Sequence, residues 1–220
     1  MRFVLAACIL LSLTACAAPP VDERNTYETF LNSRNLSLPR PDHFQHCRGY
    51  GCVIRDDVTL SKAEWDAVTG VFRGVNSAAD ERVATGKAIG LLERIVGPKT
   101  GTDGDLGGTF RETGEKQMDC VDESTNTTMY LAMLQNDLLL KFHRVQRPTY
   151  RTPMSTMGTG KFWPHFTAVM TDKKTHAAWA VDSWARDNGF PAEILPLNDW
   201  VNGAGLSEND GAKFKLKKGK

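Results

Sequence analysis

Between Asp119 and Arg147 the chain runs without a glycine or a proline, and beyond Arg147 it breaks into short β-like runs separated by turns. No other feature constrains the fold as strongly. Tyr130, Leu131, Leu134 and Leu138 recur at helical spacing and predict a helix that begins near Asp119 with those residues inward. Strands are expected at about 143–147, 162–171 and 177–184, the last two joined through Thr171-Asp172-Lys173-Lys174-Thr175 as a hairpin. A further extended piece is expected over 192–197. Upstream, Ser61 and Glu64 make a capping box ahead of Trp65, Val68, Phe72 and Val75. A second helix is expected from about Ala78 to Val96, stopped by Gly97-Pro98. Residues 99–114 carry five glycines and almost no apolar side chain, so they read as a loop, either a groove wall or lid or a mobile surface segment. Helices first and strands afterwards in one chain predict an α+β fold.

The 220 residues are 41% hydrophobic and 24% charged, a globular composition that excludes collagen, wholesale disorder and a multi-span membrane protein. A formal charge of +1 gives no basic field for a nucleic-acid partner.

The N-terminus reads as an address. Arg2 precedes a short apolar run from Phe3 to Leu13, and Leu13-Thr14-Ala15-Cys16 resembles a bacterial lipobox, in which the chain is cut before the cysteine and Cys16 is acylated with a fatty acid such as palmitate. An ordinary secretory signal cut nearby is the other reading. Loss of residues 1–15 would lower the 27 basic groups to 26, level with the 26 acidic ones. Residues 16–40 read as a tether and 41–205 as the folded domain. The tail 206–220 reads as basic and disordered, five lysines falling in its last nine residues. Ala17 after the acylated cysteine resembles the sorting pattern for the outer membrane, facing the periplasm.

Cysteine usage is set by that address. Cys8 leaves with the signal and Cys16 takes the lipid. Cys47 and Cys52, separated by Arg48-Gly49-Tyr50-Gly51, are expected to form a disulfide in an oxidising compartment. A zinc half-site with His43 or His46 is the alternative. Cys120 is left over.

Cys120 lies in Gln117-Met118-Asp119-Cys120-Val121-Asp122-Glu123, where a helix should begin and its backbone N–H groups favour a thiolate. The adjacent carboxylates oppose ionisation, so the sulfur needs a cationic partner. Of the five histidines, His165 alone opens a strongly β-like run. Asp182 interrupts the apolar pattern of the neighbouring arm and falls nearly across from His165 if the two runs pair through the 171–175 turn. That places a carboxylate where it can orient the imidazole toward Cys120. Asp182 pairing with Arg186 is the bland alternative, and Asn188 is an alternative orienting group. Gln117 is a candidate oxyanion donor. Trp163 and Trp184 bracket the site as candidate groove walls, with Tyr130 and Trp200 as further candidates, against a default of core packing.

A cysteine at a helix start within D-C-x-D, a histidine opening one strand and an aspartate seventeen residues later on the next resemble the bacterial transglutaminase-like cysteine proteinases of the transglutaminase-like, papain-like superfamily. The resemblance spans about residues 60–200, with its specific part in three short segments. It implies a nucleophile helix packed on an antiparallel sheet and a Cys120–His165–Asp182 triad. No cofactor is required. Some members bind calcium through acids flanking the cysteine, which makes Asp119 and Asp122 weak calcium candidates, although Val121 stands where the family commonly has an acid. The expectation is a periplasm-facing, lipid-anchored thiol hydrolase, cleaving amide bonds of a protein or peptide in the cell envelope. The alternative is a non-catalytic envelope scaffold or binding lipoprotein that keeps the fold.

Overall fold

The computed structural model describes residues 26–108, 114–157 and 164–205. The signal, Cys16, Trp163 and the lysine-rich tail lie outside the described residues. In chain order the elements are α1 (Tyr27–Ser33), β1 (Phe44–Arg48), β2 (Ile54–Val58), α2 (Lys62–Gly70), α3 (Ala78–Thr100) and α4 (Cys120–Asn136). They continue with β3 (His143–Arg151), β4 (His165–Asp172), β5 (Ala178–Asp182), β6 (Glu193–Pro196) and α5 (Leu197–Val201). Two antiparallel sheets result, a β1–β2 hairpin and a four-stranded sheet in the order β3–β4–β5–β6. The fold is α+β.

Helix α4 is the centre, packed on β4, β3 and β1. Its second half, Met129 to Leu134, is apolar and buried on every side. Its first half is not apolar at all: Asp122-Glu123-Ser124-Thr125-Asn126-Thr127-Thr128 is equally buried. Polar groups survive there only because partners replace water. The Ser124 and Thr125 hydroxyls donate to the Val121 carbonyl, Thr128 donates to the Ser124 carbonyl, and Thr127 pairs with Ser183 at 2.9 Å. Asn126 clamps β1 through its whole amide, accepting from the Cys47 N–H at 2.7 Å and donating to the Cys47 carbonyl at 2.9 Å.

Four expectations need correction. Residues 27–36 belong to the fold and not to a tether. Thr26 caps α1, and Tyr27, Phe30, Leu31 and Leu36 are buried, three of them at the spacing of one helical face. Helix α3 does not stop at Gly97-Pro98 but runs to Thr100 and ends at Gly101, whose φ of 76° is the left-handed cap that glycine supplies. Gly97 serves a close approach instead, since a Cβ there would meet Asp103 Cα at 2.8 Å. Leu138 is not inward: α4 ends at Asn136 and Leu138 is 79% exposed. Arg147 does not end β3, which continues to Arg151 past a register shift between Gln146 and Thr149, where Pro148 has no N–H to give the ladder.

The β4–β5 hairpin sets the site. Asp172 Oδ1 accepts from the N–H groups of Lys174 and Thr175, which closes the turn. The register pairs Ala168 with Val181, so Asp182 stands one step beyond, opposite Thr167 and diagonal to His165 on the same face.

Candidate functional site

Cys120 is the first residue of α4, as its local sequence requires. Asp119 Oδ1 accepts from the N–H groups of Val121 (3.0 Å) and Asp122 (2.9 Å), while Asp122 returns the bond to the Asp119 N–H, a reciprocal capping box. The Cys47–Cys52 disulfide is formed, which removes both sulfurs from zinc chemistry. It closes a turn in which Gly49, Tyr50, Gly51 and Cys52 all have φ between 62° and 80°. Four successive left-handed residues turn their N–H groups into one concavity. That concavity holds the start of α4: Tyr50 and Cys52 donate to the two oxygens of Asp122 (2.8 and 2.5 Å) and Gly51 donates to Asp119 (3.2 Å). The calcium that the resemblance allows does not fit here. Both oxygens of Asp122 and Oδ1 of Asp119 face the positive ends of backbone N–H groups.

The imidazole of His165 is buried, and its Nε2 donates to Asp182 Oδ2 at 2.6 Å. Trp200 Nε1 donates to the same oxygen at 2.7 Å. Burial works to raise the Asp182 pKa, but His165, the Trp200 N–H and the Arg151 charge outweigh it and hold the carboxyl below its ordinary value. Trp184 and Trp200 pack on the His165 ring, with centroids 4.7 and 5.4 Å away. Among the described residues, His165 Nδ1 and Asp182 Oδ1 are buried without a hydrogen-bond partner.

The Cys120 sulfur accepts from the backbone N–H of Phe166, the residue after His165. Burial pushes the thiol up to about 12; the Phe166 N–H opposes this, and Asp119 and Asp182 add to it. Burial and the neighbouring carboxylates thus oppose ionisation of this thiol.

Beneath α4 lies a cluster that local patterns do not disclose. Glu123 accepts from the Ser183 hydroxyl at 2.6 Å and shares a hydrogen bond with Asp105. Glu93 accepts from the Gly189 N–H at 2.8 Å. Burial first, and mutual repulsion with Glu123 next, raise Asp105 to about 9. Burial likewise lifts Glu123 to about 7.

The remaining candidates take other places. Gln117 is turned to the glycine-rich loop, accepting from the Leu106 N–H and donating to the Gly104 carbonyl. That loop is stitched in place over 101–108, with Gly107 and Gly108 donating to Asp187 and to the Trp184 carbonyl. Asn188 donates its N–H to Asp105 and lies against Gly97, so it is Asp182 that orients His165. Arg186 is not Asp182's partner either. His46 is buried against Tyr130, Thr102 and Asn126, and burial drives its pKa down to about 4. Trp184 is buried against His165. Trp200, weighed as a groove wall, is instead a buried donor to Asp182. No family model, curated protein or solved structure matches the chain.

Proposed function

We propose that the protein is a thiol hydrolase of the papain-like, transglutaminase-like type that cleaves an amide bond in a protein or peptide of the cell envelope. The observation that carries this reading is the buried His165–Asp182 hydrogen bond, which leaves the second imidazole nitrogen without a partner on the strand whose next residue, Phe166, donates its backbone N–H to Cys120. Because Asp182 accepts from Nε2, the lone pair resides on Nδ1, where a base is needed.

In the proposed reaction Cys120 Sγ attacks the amide carbonyl as its proton moves to His165 Nδ1. Collapse of the tetrahedral adduct breaks the C–N bond, and the amine leaves with that proton. Water, deprotonated by His165, then hydrolyses the thioester and restores the thiol. The oxyanion falls to the Cys120 N–H, because those of Val121 and Asp122 are already taken by Asp119. The resemblance at Asp119-Cys120, His165 and Asp182 supports the same class, and the lipobox-like Leu13–Cys16 supports anchoring in the bacterial envelope through a lipid on Cys16.

The deciding experiment labels Cys120 with a thiol-reactive acylating probe in the intact protein and in His165→Ala. Labelling that falls at least roughly tenfold in the variant, with the fold retained, supports the hydrolase. Equal labelling sinks it and leaves the envelope scaffold. Fatty-acid labelling that disappears in Cys16→Ser tests the anchor.

A further inference from the structure

Asp182 puts two donors on one oxygen. Both His165 Nε2 and Trp200 Nε1 reach Oδ2, at 2.6 and 2.7 Å, while Oδ1 is buried without a partner among the described residues. An indole N–H can only donate, and the Asp182 carboxyl is held below its ordinary value, so Oδ2 accepts from both rings. The acceptor role fixes the proton of the imidazole on Nε2 and leaves Nδ1 unprotonated.

Trp200 is itself held. It sits in the last helix, 1% exposed, and Arg151 covers its ring at 4.6 Å. The Arg151 guanidinium also donates to the carbonyls of Trp200 (2.9 Å) and Ala204 (3.1 Å), which ties the end of α5 to β3. Arg151 is the register partner of His165 across β3 and β4. The histidine and the group that holds its carboxylate are thus set by one pair of strands.

We propose that Trp200 is a positioning residue of this site: its N–H holds the Asp182 carboxylate with Oδ2 against His165 Nε2, and so keeps Nδ1 as the ring nitrogen that accepts the Cys120 proton. The inference rests on the thiol-hydrolase reading above. It also makes α5 part of the site, although the helix is only five residues long.

Titratable groups face this pair from several elements. Cys120 and Glu123 face it from α4, Arg151 from β3, and Glu193 from its position opposite Asp182 on β6. The test therefore compares variants at one residue and leaves these charges unchanged. The rate of Cys120 carbamidomethylation by iodoacetamide is measured against pH in the full oxidised chain, in Trp200→Phe and in His165→Ala. Phenylalanine keeps a ring beside His165 and under Arg151 while removing the N–H, at the cost of a smaller ring. With one donor lost, Oδ2 holds the imidazolium more strongly. The limb that His165→Ala abolishes should then move to higher pH by about half a unit, and the maximal rate should fall roughly threefold to tenfold. A limb that stays in place in folded Trp200→Phe overturns the proposal. If that variant does not fold, Asp182→Asn supplies the test through the indole N–H resonances. Trp200 should then move further than Trp65, whose N–H donates to Asp137 elsewhere; equal movement overturns the proposal. Absence of any His165-dependent limb in the unsubstituted protein is a different result, since it removes the hydrolase reading itself.

Discussion

Two histidine–carboxylate pairs are buried among the described residues, and they are built on opposite plans. His143, at the start of β3, sits against Glu81 of α3 at 2.9 Å, both side chains fully buried. Every acceptor position there is filled: Glu81 takes the N–H groups of Lys141, Phe142 and His143 as well as the ring nitrogen Nδ1. The second ring nitrogen of His143 is 3.3 Å from Arg82. His165 and Asp182 lie at 2.6 Å, yet each keeps one buried atom without a partner among the described residues. A saturated pair holds elements together. An unsaturated one carries an energetic cost in the folded state and retains a lone pair that chemistry can use.

That contrast breaks if the wrong pair holds up the fold. Glu81→Ala strands three backbone N–H groups and an imidazole, and is expected to cost about 3–5 kcal/mol, measured by the urea midpoint. A smaller loss than that of Asp182→Asn would erase the distinction. His165→Ala is expected to leave the urea midpoint within about 1 kcal/mol while the acylation rate of Cys120 falls roughly a hundredfold, equivalent to about 3 kcal/mol of barrier. His143→Ala should show the reverse.

The acid cluster sharpens the comparison through pH. Asp105 and Glu123 titrate at about 9 and about 7 in the folded protein, and near 4 when unfolded. Between those limits the native state holds protons that the unfolded chain has released, so stability must fall as pH rises. From pH 7 to 9 the loss attributable to Asp105 is about 2 kcal/mol, read as a falling Tm, and Asp105→Asn should flatten that slope. A Tm that rises over this range contradicts the assignment. Reduction of Cys47–Cys52 by a dithiol should cost a little less, about 2 kcal/mol from loop entropy alone. It should slow Cys120 acylation by loosening the α4 cap while leaving the Glu81–His143 pair intact, which hydrogen exchange at residues 141–143 would report.

What the sequence disclosed was local. The Ser61 capping box, the helix start at Cys120, the short cysteine pair and the His165/Asp182 hairpin are each written within a few residues or across one turn. The His143–Glu81 pair, the Asp105–Glu123 contact and the Trp200 N–H on Asp182 join segments remote in the chain, and neither partner carries a pattern that announces the other. Helix α5 escaped because five residues make too little periodicity to read. The burial of the first half of α4 has a related cause: Asp122 to Thr128 carries no apolar pattern, and it is interior because β1, β5 and the disulfide turn bring partners to it.

The disulfide turn has a consequence for how the thiol survives oxidation. Cys52 follows Cys47 by five positions, whereas Cys120 lies sixty-eight beyond Cys52. Closing the longer ring costs about 2 kcal/mol more in chain entropy, so an unfolded chain meeting an oxidant closes the short one first by a wide margin. Once that bond exists, the described chain offers Cys120 no other sulfur to capture it. The order of ring closure thus acts as a protecting group for Cys120, the free cysteine of the described chain, which the proposed chemistry needs reduced.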